Sequence, residues 1–206
     1  MARKFSDHEK ERIRGRLMEA GKQCFGLYGL KKTSIEQLTK AAGIAQGTFY
    51  LFFPSKEELY FELLELEEER VRQQLLEETE ESGRRMDKET LVRFLRKSVS
   101  VMGENPFFRQ LYEDDVMEQL VRKLPAEKLA AHFDKDADIA MPFVRRWQEE
   151  GWLTTQRPEI IVSLIRSLVL LTLQKRLIGE EVFDETMELL IQLIAQGWTA
   201  EARGQS

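Results

Sequence analysis

Cysteine and histidine are almost absent from this chain of 206 residues, which holds Cys24, His8 and His132 and no others of either type. A single cysteine permits no intrachain disulfide, which fits a reducing, cytoplasmic setting. Two distant histidines and one thiol do not make a Cys/His metal site, and no cofactor is expected. Nucleophilic or acid–base catalysis has little to draw on, and no glycine-rich phosphate loop is present. Prolines number only five, and no β-branched run of period two bounded by an Asn-Gly or Asp-Gly turn occurs, so strands have no support. The most apolar run, IIVSLIRSLVLLTL, is 14 residues long and contains Arg166, too short and too polar to span a bilayer. The opening segment MARKFSDHEKERIRGR has no apolar core like that of a signal peptide, so no membrane partner is expected.

What is abundant is charge, at 33% of residues, with Leu, Glu and Arg frequent, a balance that favours helix. The net charge of −5 argues against a polyanionic partner, but its distribution argues for one. Residues 1–56 carry 11 Lys and Arg against 5 Asp and Glu, a net of +6, and residues 57–206 carry 20 against 31, a net of −11. A basic head on an acidic body suits a polyanion; a solvated charged helix is the plainer alternative.

Local chemistry marks out the helices. Ser6 and Glu9 form a capping box, after which Ile13, Leu17, Ala20, Cys24, Phe25 and Tyr28 recur at spacings of three and four until Gly29 closes the helix. Ser34 and Gln37 open a second helix with Ile35, Leu38 and Ala42 inward, stopped by Gly43. A short third helix follows Ala45 and ends about Phe52. Pro54, Ser55 and Glu58 open a fourth, with no stop before Ser82-Gly83, which makes it about 40 Å long at 1.5 Å per residue. Further helices are predicted at about 87–102, 106–122, 125–150 with a kink at Pro142, 158–177 and 180–200. The fold class read from this pattern is all-α.

The stretch AAGIAQGTFYLFFPSKEEL then stands out. Two helices joined by a short glycine-containing turn are the sequence form of a helix-turn-helix, whose second helix enters the DNA major groove. Gly47 lets backbone come close to phosphate. Gln46 and Thr48 suit base edges, and the Tyr50 hydroxyl suits a phosphate oxygen. Phe49, Leu51, Phe52 and Phe53 cannot all face DNA, so most of them anchor the helix to its neighbours.

The order Thr-Ser-Ile, Ala-Ala-Gly-Ile, Gly-Thr-Phe-Tyr, Phe, Ser-Lys-Glu-Glu-Leu resembles the DNA-binding signature of the TetR family of bacterial transcriptional regulators, over about Asp7 to Phe61. The resemblance implies a DNA-binding head at 1–54 and a helical effector-binding and dimerisation body at 55–206. It implies a homodimer on a palindromic operator in double-stranded DNA and a small-molecule effector. It also assigns phosphate contacts to Thr33, Ser34 and Lys56, and groove contacts to Gln46, Gly47, Thr48 and Tyr50. Ala45 departs from the pattern, since the family usually has a serine N-cap there; its loss weakens the cap by about 1 kcal/mol.

In the body, the last two helices are apolar on two sides, so one side packs inward and the other suggests a partner subunit. Ile161, Leu164, Leu168, Met187, Ile191 and Ile194 are the candidate dimer residues; a large monomeric core is the alternative. Aromatic and methionine side chains gather between about 102 and 152. Met102, Phe108, Tyr112, Met141 and Trp147 are the candidate effector contacts, although ordinary core packing accounts for each of them as well. The cluster Glu113-Asp114-Asp115 reads as a solvated face. The reading that unites these features is a dimeric repressor released from its operator by a lipophilic effector. A helix-turn-helix adaptor or activator without an effector is the alternative.

Overall fold

The computed structural model describes residues 5–81, 87–113, 116–136, 140–172 and 174–203. Their regular structure is helical throughout: α1 (Asp7–Lys32), α2 (Ile35–Ala42), α3 (Gln46–Phe49), α4 (Lys56–Glu81), α5 (Lys88–Glu104), α6 (Pro106–Glu113), α7 (Val116–Lys123), α8 (Ala126–Asp136), α9 (Met141–Glu149), α10 (Pro158–Thr172), α11 (Lys175–Ile178) and α12 (Phe183–Arg203). The all-α class therefore holds. Several segments differ from expectation. α3 ends at Phe49, short of the predicted Phe52. Of the predicted 106–122 helix, α6 and α7 are described, and 114–115 lie outside the described residues. The predicted 125–150 helix is also two, because Pro142 sits in the first turn of α9, where its missing N–H costs nothing, and does not kink a longer helix. The segment 158–177 breaks after Thr172. The Ser82-Gly83 stop lies outside the described residues.

Packing divides the chain into two compact units, each drawn from two stretches of sequence. One comprises Met1–Glu69 with Pro106–Ala126, the other Arg70–Asn105 with Glu127–Ser206. In the first, α1 packs on α2 and α6, and α2 on α3. Tyr60 of α4 is fully buried there between two rings, with centroids 5.3 Å from Phe25 and 5.3 Å from Phe107. Its hydroxyl would be an orphan in such a core, and it donates to the Phe107 carbonyl at 3.1 Å. Gln110 of α6 donates to the Phe25 carbonyl at 2.8 Å, and Gln119 of α7 donates to Glu57 at 2.7 Å. The α1–α4 contact is close at Gly21, where an added Cβ would stand 2.8 Å from Leu63 Cδ1 and 3.1 Å from Leu59 Cδ2. Both leucines are buried, so an alanine at this position requires the Leu63 and Leu59 side chains to shift.

In the second unit α5 is the hub, packing on both α10 and α12, while α9 packs on α10. The rings of Phe94, Phe143 and Trp147 interlock, with centroid separations of 4.9 to 5.8 Å. At the surface, the Arg96 guanidinium and the Glu188 carboxylate bind α5 to α12. Arg96, with help from Gln192, holds the Glu188 carboxyl down at about 2 from its ordinary 4.5. A depressed carboxyl stabilises the fold fully above its unfolded value, and the contribution disappears as pH falls from about 4.5 towards 2. Both groups are about half exposed (49% and 44%), so solvent screens the pair. Glu188→Gln is expected to lower the melting temperature slightly at pH 7. The difference from wild type should shrink steadily as pH falls below about 4.5, vanish only below about pH 2, and shrink in high salt, as thermal melts across pH will show.

Candidate nucleic-acid interface

The helix-turn-helix is set by caps that the sequence announces. Ser34 accepts the Gln37 N–H at 3.1 Å, and the Gln37 side chain accepts the Ser34 N–H at 2.8 Å, a complete capping box. At the other end of α2, Gly43 takes φ 64° and ψ 42°, the left-handed conformation that turns the chain into α3. Ala45, the N-cap of α3, makes no side-chain hydrogen bond, as its identity implies. With only four helical residues and no cap bond, α3 is held from beneath. Phe49 and Phe53 are 0% and 2% exposed, with ring centroids 5.9 Å apart. They are the anchors of the aromatic run. Leu51, at 70% exposed, is not.

Above those anchors α3 offers its polar face. Gln46 and Gly47 are exposed and Thr48 is half-buried. Tyr50 is 57% exposed, its ring set edge-on to Phe49. A Cβ added at Gly47 would meet nothing within 4 Å, so the glycine answers no packing demand inside the chain. It leaves α3 bare for an external surface. Beside it lies a groove of about 440 Å³ lined by Lys31, Lys32, Thr33, Ser34, Ile35, Tyr50, Pro54, Ser55, Lys56 and Glu57. The N-termini of α2 and α4 both meet in this groove, and helix N-termini favour anions. Lys31, Lys32 and Ser55 were not among the residues singled out from sequence. The basic pair just before the Thr-Ser cap was the signal that could have found them.

Two of the phosphate candidates, Thr33 and Lys56, also make contacts inside the chain. Thr33 is 1% exposed, and its hydroxyl donates to the Gly29 carbonyl at 2.8 Å and the Cys24 carbonyl at 3.3 Å. It caps α1 where Gly29 (φ 77°) breaks the helix. Lys56 turns its ammonium onto the carbonyls of Leu30 at 2.7 Å, Thr33 at 2.8 Å and Lys31 at 3.4 Å. Burial lowers its pKa from the usual lysine value, with the Glu57 carboxylate opposing. Ser34, by contrast, stays exposed on the groove. Arg14, part of the basic head, pairs with Glu62 at 2.5 Å and covers the Phe53 ring at 5.1 Å, so its charge is spent inside the unit.

The body candidates separate by burial. Of the dimer residues, Ile161, Leu168, Met187 and Ile191 are at most 4% exposed within the single chain and therefore belong to its own core. Leu164 (40% exposed) and Ile194 reach the surface. Among the exposed apolar groups of the described residues are Ile160 and Leu164 on α10, and Leu189 and Leu193 on α12, each pair four residues apart on one helix face. Of the effector candidates, Phe108 is buried in the first unit, and Met141 and Trp147 in the second. The side chains of Met102 and Tyr112 lie outside the described residues, as does most of the Glu113-Asp114-Asp115 cluster.

Known proteins agree with this geometry. The profile of bacterial regulatory proteins of the tetR family matches residues 17–63, from the middle of α1 into α4. An uncharacterized HTH-type transcriptional regulator of Bacillus subtilis (strain 168), YdgC, is 32% identical over 139 residues, covering 61% of this chain and 71% of that protein. Two crystal structures share the fold at 17% identity and a TM-score of 0.69. One is a putative TetR-family regulator from Mesorhizobium loti, with 92% of this chain and 98% of that one covered. The other is a TetR-family regulator from Pectobacterium atrosepticum, with 95% and 98% covered. Among the described residues, no helix is long and apolar enough to cross a membrane, and no cluster of metal-ligating side chains occurs. The chain belongs to the TetR family of transcriptional regulators, with a DNA-binding helix-turn-helix at its N-terminus.

Proposed function

We propose that the protein is a cytoplasmic, dimeric repressor that holds a palindromic operator through residues 1–54 and is released by a small lipophilic effector taken up by the body at 55–206. The observation that carries the DNA half is the bare polar face of α3 beside a basic groove where two helix N-termini meet. Gln46 and Thr48 read base edges. Tyr50, Ser34, Lys31 and Lys32 position the phosphates. The exposed rows on α10 and α12 supply the contact with a second copy, and the interlocked rings of Phe94, Phe143 and Trp147 are the wall against which an apolar guest would lie. The family context and the absence of a catalytic constellation in the sequence favour a regulator over an enzyme.

The experiment is recovery and sequencing of the genomic fragments that the protein retains, followed by titration of the recovered site. Affinity should fall steeply with salt, since each neutralised phosphate releases counterions. Gln46→Ala or Thr48→Ala should cost on the order of 1–3 kcal/mol on the preferred site and relax the preference. Lipophilic candidates are then titrated with and without operator. Coupling requires operator to weaken effector binding by the same factor by which effector weakens operator binding. Equal effector affinity in both states would leave an adaptor or activator without a switch.

A further inference from the structure

The outer side of α3 carries one residue that polar chemistry does not explain. Backbone winding continues past Phe49, and Tyr50 keeps the helical conformation at φ −68° and ψ −9°. The Leu51 amide donates to the Thr48 carbonyl at 3.2 Å, and the Phe52 and Phe53 amides donate to the Phe49 carbonyl at 2.9 and 3.1 Å. Positions 47, 50 and 51 therefore share one side of the turn, and the buried Phe49 and Phe53 hold the opposite side. On the outer side Tyr50 is 57% exposed and Leu51 70%. Gly47, one turn before Leu51, leaves open space where a side chain would stand. Leu51 thus flanks a recess, next to the Tyr50 ring that lines the basic groove.

A single exposed leucine needs no explanation on an ordinary surface. This one lies on the face that a helix-turn-helix turns to the major groove. Leucine neither donates nor accepts a hydrogen bond, so phosphate oxygens and polar base edges offer it nothing. Among the groups that base pairs display in the major groove, only the C5-methyl of thymine is apolar. We propose that Leu51 is a specificity-determining residue: it reads a thymine in each operator half-site through the C5-methyl group, which enters the recess over Gly47. The contact is additional to the base-edge contacts of Gln46 and Thr48, and it rests on the DNA-binding reading. Burying one methyl is worth about fourfold in affinity, so removing it from both half-sites of a palindrome should cost about 15-fold.

The test uses the full chain and the recovered genomic site, with each thymine in turn replaced symmetrically by deoxyuridine, which removes only the methyl. Wild type, Leu51→Ala and Thr48→Ser are titrated on this set. Thr48→Ser removes the methyl that α3 itself carries and keeps the hydroxyl. Each comparison is made within one variant, so a general loss of folded protein cancels. At one thymine position, loss of the methyl is expected to cost wild type about 15-fold and Leu51→Ala less than about twofold. Thr48→Ser should keep the full penalty there. The proposal is overturned if no thymine responds in wild type, if Leu51→Ala retains the full penalty at every responding position, or if Thr48→Ser alone relieves it. A uniform loss in Leu51→Ala across all duplexes, with no position relieved, would place the side chain against the sugar–phosphate backbone and also overturn it. Failure of the wild type to retain any DNA would remove the DNA-binding reading itself, and this assignment with it.

Discussion

Phe49→Ala is expected to abolish operator binding and to destabilise the protein by about 3–5 kcal/mol, the usual cost of emptying a buried phenylalanine site. Phe49 is fully buried, and it holds up a helix of only four residues whose N-cap makes no side-chain bond. A helix that short has no stability of its own, so without its anchor α3 loses its orientation as well as its packing. Such a loss is a large share of the roughly 5–15 kcal/mol that keeps a typical domain folded. Chemical denaturation of the DNA-free protein reports the first effect and operator titration the second. Tyr50→Phe is the companion, since it removes a hydroxyl from an exposed ring and should leave the denaturation midpoint where it was. Full operator affinity in Phe49→Ala would mean that α3 is not the reading head.

Leu193→Glu and Leu164→Glu are expected to give folded monomers. Both side chains are substantially exposed in the single chain, at 56% and 40%, so a carboxylate there costs the isolated fold little. In a dimer seam the same carboxylate would be buried without a partner, which is costly. Losing the second half-site should lower operator affinity by about 10² to 10⁴, the usual gain from linking two binding events. Ile191→Glu should behave differently, because that side chain is 3% exposed inside its own unit: insoluble or unfolded protein is the expected result. Sedimentation of the two surface variants checks the seam, and an intact dimer in both would place it elsewhere.

The contrast between Leu193 and Ile191 shows where the sequence was legible and where it was not. Caps and stops are local chemistry, so Ser6 with Glu9, Ser34 with Gln37, and Gly43 marked the start of α1 and both ends of α2, whereas α3 ends at Phe49, short of the predicted Phe52. Helical periodicity shows that α12 is apolar on two flanks, but not which flank meets the chain itself; that depends on where α5 comes to lie. Pro142 had the same ambiguity, since a proline suits the first turn of a helix and also kinks a longer one. The contacts of Lys56 with backbone carbonyls 23 to 26 positions earlier were not legible, because such acceptors leave no mark in side-chain identity. Leu51 looked like an anchor by hydrophobicity alone; its exposure follows from the turn after α3.

The DNA-contacting unit is built from two stretches of chain, Met1–Glu69 and Pro106–Ala126. The late stretch brings Phe107 against Tyr60, and Gln110 and Gln119 onto α1 and α4. On the ribosome Phe107 and Gln119 follow Glu69 by 38 and 50 residues, a delay of about 2–10 s at 5–20 residues per second. Throughout that interval the rings of Phe25 and Tyr60 lack their cover and the Tyr60 hydroxyl lacks its acceptor. A nascent head therefore lacks part of its packing until the chain has been translated through α7, and chains halted before Pro106 are expected to bind operator DNA more weakly than the full chain.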